Sequence, residues 1–418
     1  MADSSDWEVA VSKKNKVPTP VARISALRNH LIPKDIHRSK PKEMVLKPVA
    51  ERKSDITVLA QLLGFIPIDD IPGSARELFR HAILICLDLE HWSYNSNKTT
   101  EVGLVIYDMH DIATIVRSKQ LGNHGENLLK CGKHHFFRIA QHAHLEKGND
   151  EILGPEGNVF GKCRFTELEE LRDILKKCFV QPLVDVPQHE GCLRPVVVLG
   201  HDGKHDWENL MDKAVSTNLV DYGTVVRFID TQELHRSTGD WSEAFNRVGL
   251  KTLIHFFGFE HEQGHTAAND ASRTAICAFQ AVLRFGLKNR DDCWNAKNDC
   301  IKTMQQVASD LETHSVTTYN EIGGSALYCI KCASHDHMAE QCKATELHCD
   351  YCQAKGRIQT GNHVTRHCQV MFNVEGAARR AKFAWEKEQD HKEERRTGEK
   401  KPKPPKAIKP WSGWSGGY

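Results

Sequence analysis

With 418 residues, 56 Lys and Arg against 55 Asp and Glu, and a net charge of +1, the chain is long enough for two or three folded units rather than one. No apolar stretch approaches the length of a bilayer span and the Met1 end carries no hydrophobic leader, so no membrane association is expected and the location is intracellular, in cytoplasm or nucleus. The near-neutral total leaves polyanion binding open, because Lys and Arg gather between Lys13 and Lys53 and again between Arg379 and Lys409.

In chain order, residues 1–50 are rich in Pro, Ser and Lys and read as a flexible basic arm. Ser54 and Asp55 are N-cap residues for a short helix, and AILICLDLE is too short and too continuously apolar for an amphipathic helix but suits a strand buried on both faces. After a turn at Ser93 to Lys98, TEVGLVIYD reads as an antiparallel partner, with a third strand within DIATIVRS. Residues from about 120 to 165 form a polar, His-rich insertion, and FTELEELRDILKKCF carries a helical stripe through Leu168, Leu171, Ile174 and Leu175. PVVVLG and TVVRFIDT are strands, DWENLMDKAVS and GLKTLIHFFGF are helices, and NDASRTAICAFQAVLRFGL is a longer amphipathic helix. The alternation predicts an α/β fold, a three-layer unit around a mixed central sheet over 55–290. A connecting helix within 291–320, a cysteine-rich module over 325–370, and a charged helix with a Pro/Lys and Trp/Gly tail over 375–418 follow.

Three short acidic patches stand out. Asp88 and Glu90 in ICLDLEHW leave the same face of their strand, while Leu87 and Leu89 enter the sheet. Asp206 follows the PVVVLG strand by about one helical turn, His265 precedes a helix, and Asp270 lies in its first turns, where a carboxylate is favoured. Like charges held this close need cations between them, so the set predicts two divalent ions that activate water and stabilise a leaving oxygen at phosphorus. Imidazole titrates near neutrality, which suits His265 to the role of general base.

This order of motifs resembles the DEDDh exonucleases of the ribonuclease H-like fold, whose motifs are D-x-E, an Asp shortly after an H-N or H-D pair, and H-x4-D. The resemblance implies a 3′–5′ exonuclease acting on RNA or single-stranded DNA. Asp88, Glu90, Asp206 and Asp270 would then hold two Mg²⁺ or Mn²⁺ ions, and His265 would take the proton from water. This chain departs from the pattern at His91 and Trp92, where the family often has Thr and a Gly-rich turn, and at Asp202, where Asn is usual. KHHFFRIAQHAHL and VFGKCRF are similar to an insertion in a fungal subgroup related to QIP, an Argonaute-interacting exonuclease. No Cys or acid spacing makes His134, His135, His142 and His144 a metal site, and they are expected to pack against the core with some phosphate contact. The competing reading is a nucleic-acid-binding scaffold whose nuclease fold has lost turnover.

Cys329, Cys332, His337 and Cys342 form C-x2-C-x4-H-x4-C, the ligand spacing of a CCHC zinc knuckle, in which a nearly coreless segment folds around the metal. Cys349, Cys352, His363 and Cys368 repeat the scheme with a longer middle, and His367 or His348 are alternative nitrogen ligands, so one or two Zn²⁺ are expected. The eight other cysteines are scattered, as buried thiols of a reducing compartment would be. Tyr328, Lys331, Met338 and Tyr351 are candidate base and phosphate contacts, or they pack the knuckles together. Trp411 and Trp414, in a Ser-Gly context, resemble the tryptophan hooks that enter Argonaute pockets.

Overall fold

The computed structural model describes Leu27 and residues 54–69, 71, 73–145, 154–184, 186–203, 206, 210, 215–238, 248–260, 265–288, 301–358 and 360–397. Six strands form one mixed sheet in the order β4-β3-β2-β1-β5-β6: β1 Ile83–Trp92, β2 Asn95–Asp108, β3 Lys133–Ile139, β4 Cys163–Thr166, β5 Val196–Gly200 and β6 Val225–Asp230. β1 is central, antiparallel to β2 and parallel to β5. β2 and β3 are antiparallel, and β4 and β6 lie parallel at the two edges.

The helices are α1 Asp55–Leu62, α2 Gly73–Arg80, α3 Met109–Ser118, α4 Leu168–Phe179, α5 Thr231–Ser237, α6 Leu250–Phe256, α7 Ala267–Lys288, α8 Met304–Thr317 and α9 Gln369–Thr397, besides shorter turns. Alternation along β1 sorts the core into two layers. Leu84 and Cys86 pack with α1, α7 and α8 on one face, whereas Ile83, Ile85, Leu87 and Leu89 meet Leu171, Ile174 and Leu175 of α4 on the other. This is the three-layer arrangement expected from the sequence. Ser54 caps α1 by accepting from the Thr57 N–H, and Asp55 instead pairs with Arg227 of β6.

Several expectations are corrected. DIATIVRS is not a strand: Asp108 accepts from the His110 N–H at 2.9 Å and starts α3 there. The β1–β2 turn is shorter than Ser93 to Lys98, since β2 begins at Asn95. The His-rich insertion supplies β3 and β4, so it extends the sheet rather than standing outside it. α8 is not a mere connector, because Met304, Val307, Ala308 and Leu311 are buried in the main core. Leu27, in the stretch read as a flexible arm, is helical and fully buried in that same core. Among the described residues no helix is long and apolar enough to cross a membrane.

The cysteine-rich module is docked on the β3–β4 edge. Ser325 forms a bridge with Phe165, and Tyr328 stacks on the Phe165 ring at 5.6 Å. Arg366 donates to Glu167 at 2.8 Å and to the Tyr328 hydroxyl at 2.8 Å. From there α9 runs past the end of β1, where Trp92 meets Phe372 edge-on at 6.0 Å. Gly376 allows this approach, since a Cβ there would lie 3.1 Å from the Trp92 ring.

Candidate functional site

At the carboxyl end of β1, Asp88 and Glu90 project from the α7 face, as their spacing predicts. The register slips between Glu90 and His91 and again at Trp92, a bulge that re-aims the strand end just beyond the acids. Asp206 is a buried helical residue beyond β5, and Asp270 is buried in the first turns of α7. His265 is exposed, with φ +64°, and its N–H donates to the Asp270 carboxylate at 3.1 Å. That contact holds the imidazole beside the acids without burying it. Donor atoms of Glu90, His265 and Asp270 lie within 4.8 Å of one another.

The electrostatics tie Asp88 and Asp206 to the same cluster. Burial pushes the Asp88 carboxyl well above the usual carboxylate range, helped by the charges of Asp206, Asp270, Glu90 and Glu101. Asp206 is raised well above that range by burial and by Glu90, Asp202, Asp230 and Asp270. Glu90, His265 and Asp270 thus come together from two remote segments, and the Asp88 and Asp206 carboxylates lie near enough to feel the charges of Glu90 and Asp270. Carboxylate oxygens with one imidazole are a hard donor set that suits Mg²⁺ or Mn²⁺, and the crowding of like charge is what bound cations would relieve.

Three neighbours escaped the sequence reading. Glu101 of β2, 1% exposed and opposite Glu90 in register, accepts the N–H of Ala267 at 3.2 Å and so anchors the first turn of α7. Gly103, opposite Asp88, lets that turn reach the sheet: a Cβ would fall 2.1 Å from the Ala267 carbonyl oxygen. Asp230 ends β6, accepts from the Asp202 N–H at 3.2 Å, and is raised by burial. The E-x-G of TEVGL was visible, yet only the β1–β2 register shows that it faces the acids. Trp92, one of the departures from the family pattern, lies at the docking face for α9 and is 1% exposed.

In the cysteine-rich module both proposed ligand sets come together: Cys329, Cys332, His337 and Cys342, and Cys349, Cys352, His363 and Cys368. Cys332 Sγ lies 3.4 Å from His337 Nε2, Cys352 Sγ 3.7 Å from His363 Nε2, and Cys352 Sγ 3.6 Å from Cys368 Sγ. Tetrahedral zinc with Zn–S about 2.3 Å and Zn–N about 2.0–2.1 Å requires edges of roughly 3.6–3.8 Å, so the donors fit zinc. The open choice at the second cluster falls to His363. His367 is buried with Nε2 bonded to the Tyr328 hydroxyl at 2.9 Å, and His348 faces Asp350. Tyr328 itself is 1% exposed and is therefore a packing residue rather than an open base contact. Lys331 is exposed, while Met338 and Tyr351 are half-buried.

His134 and His135 are buried on β3, and His142 and His144 are buried just after it. His134 Nδ1 bonds Ser272 of α7 at 2.8 Å, and His142 Nδ1 bonds the Thr99 carbonyl at 2.6 Å, which bears out packing against the core. Trp411 and Trp414 lie outside the described residues.

Comparison with known proteins bears on the first site. Residues 83–281 match the model of a family described as DEDDh_C, DNA polymerase III subunit epsilon-like, C-terminal domain. The match runs from the first residue of β1 into α7 and spans all five site positions. It supports a DEDDh-type exonuclease unit there. No curated protein matches the chain. A solved structure of the zinc-bound E. coli ExoI–ssDNA complex is 12% identical, with a TM-score of 0.31, over 50% of this chain and 42% of that protein. The chain therefore spans about two fifths of the length of that solved protein.

Proposed function

We propose that the chain is a 3′–5′ exonuclease that hydrolyses phosphodiester bonds of RNA or single-stranded DNA at the carboxyl end of β1. The observation that carries this reading is the convergence of Asp88, Glu90, Asp206 and Asp270 beside the exposed His265. When bound, two divalent cations would supply a more acidic water and charge stabilisation at the scissile phosphate. Asp88, Glu90, Asp206 and Asp270 are the residues that would hold them. His265 Nε2 or Nδ1 accepts the proton of the attacking water. Because its side chain is exposed, it can then pass that proton to solvent. Glu101 and Gly103 fix the helix that presents Asp270.

The docked knuckles and the basic ends are proposed to capture the strand, with exposed Lys331 contacting phosphate and Tyr351 a base. Burial against Phe372 gives Trp92, one of the two unusual residues after Glu90, a docking role, which weakens the reading of a retired active site. An Argonaute partner bound through Trp411 and Trp414 remains a proposal from the tail sequence. A pull-down in which the double Ala variant binds Argonaute as well as wild type would end it.

The test is digestion of end-labelled RNA and DNA oligonucleotides with free or blocked 3′ ends, with and without Mg²⁺ or Mn²⁺. Metal-dependent release of mononucleotides from free 3′ ends is expected, and His265→Ala should slow it about 10²–10⁴-fold. Binding without digestion under every condition would instead favour the scaffold.

A further inference from the structure

A cavity of about 290 Å³ lies on the opposite face of the sheet from the carboxylates and near the opposite end of the strands. Its wall includes Ile83, the first residue of β1, whereas the acids begin at Asp88. At about 3.3 Å per residue the two sites are separated by roughly 17 Å along β1 alone. Ile106 and Ile322 continue the apolar wall, and Lys133 and Lys177 stand exposed at its rim. Neither lysine has an ion pair among the described residues. Arg194 also lines the space, but its guanidinium is neutralised by Asp108 at 2.6 Å.

His135, from the insertion that the nuclease chemistry does not use, also lines this cavity. It is 1% exposed, and among the described residues neither ring nitrogen has a hydrogen-bond partner. A buried imidazole with neither nitrogen bonded carries an uncompensated desolvation penalty unless something meets it. Burial and Lys133 lower its pKa to about 4, so at neutral pH the ring is uncharged and can donate one N–H. The amides of Gln181 and Asn320 and the carboxylate of Asp108, which is paired with Arg194, complete the polar lining.

We propose that this cavity binds a small phosphomonoester, with the phosphate between Lys133 and Lys177 and the remainder of the molecule against the isoleucine wall. Two uncompensated ammonium groups match a dianion. Three phosphate oxygens can use the imidazole and amide donors that a monocarboxylate would leave idle. The volume lies just under the ~300–1,000 Å³ of drug-sized sites, which limits the ligand to about the size of a mononucleotide. The proposal stands whether or not the carboxylate site hydrolyses nucleic acid.

The experiment is calorimetric titration of the full zinc-loaded chain, without Mg²⁺ or Mn²⁺, using adenosine 5′-monophosphate, adenosine, inorganic phosphate, succinate and a 5′-phosphorylated oligonucleotide. One equivalent of the monophosphate should bind, adenosine should not, and Lys133→Glu with Lys177→Glu should weaken binding about tenfold or more. Both lysines are exposed, so this variant should fold, and an unchanged melting temperature would verify it. Asp88→Asn should bind as wild type does, which separates this site from the nuclease reading. Competition by the oligonucleotide only when it carries its 5′-phosphate would identify a strand end as the source of the same group. Absence of monophosphate binding, equal binding of succinate, insensitivity to the lysine changes, or loss of binding in Asp88→Asn would each overturn the proposal.

Discussion

Glu90, His265 and Asp270 of the acidic site and the four donors of each Cys/His cluster lie within 4.8 Å of one another, but the chain assembles the two kinds of site in opposite ways. Each Cys/His cluster takes its donors from one short stretch with little core of its own, so bound zinc would supply the folding energy there. The carboxylates come from β1, from beyond β5 and from the start of α7, and the sheet, with Glu101 and Gly103, holds them together. The fold therefore maintains one site against its own charge repulsion, whereas in the other a bound metal would maintain the fold.

The sharpest break in that comparison is removal of zinc ligands. Cys329→Ser with Cys332→Ser should release one zinc and unfold its knuckle, a loss on the order of 10 kcal/mol of local binding energy. Metal analysis and limited proteolysis should show a clipped module on an intact α/β core. Asp206→Ala should do the reverse, lowering digestion about 10³-fold at unchanged zinc content. Gly103→Ala probes how the fold places Asp270. Its Cβ would meet the Ala267 carbonyl, so α7 must shift, and denaturant unfolding should show a loss of about 1–3 kcal/mol together with reduced turnover.

The smallest effect is electrostatic. Asp88 and Asp206 are raised above the usual carboxylate range, so between that range and their raised values the folded chain binds more protons than the unfolded chain. Stability of the Mg²⁺-free and Mn²⁺-free protein should therefore fall as pH rises through that window. Thermal unfolding should show Mn²⁺ restoring a few degrees at the upper end of the window and less at the lower end. Asp88→Asn should flatten the pH dependence.

How much was legible in the sequence follows the same division. The Cys/His spacings named all eight residues that cluster because those contacts are local, and only the choice of His363 over His367 and His348 needed coordinates. The five residues of the acidic site were legible as motifs at strand ends and a helix start. Glu101, Gly103 and Asp230 were not, because their roles depend on register and on packing between layers. DIATIVRS misled because its apolar residues fit a strand as well as a helix, and the Asp108 cap decides between them. Of the two uses the sequence left open for Tyr328, base contact or packing, burial against Phe165 and the bond to His367 select packing.

The most direct test is the rate of mononucleotide release from a 3′-end-labelled single strand in Mn²⁺, wild type against Asp88→Asn, with both proteins matched in zinc content and melting behaviour. Release by wild type, with a decrease of about 10³-fold in the variant, is the predicted result. Equal rates for the two proteins would contradict the assignment of the carboxylate cluster as the reacting centre.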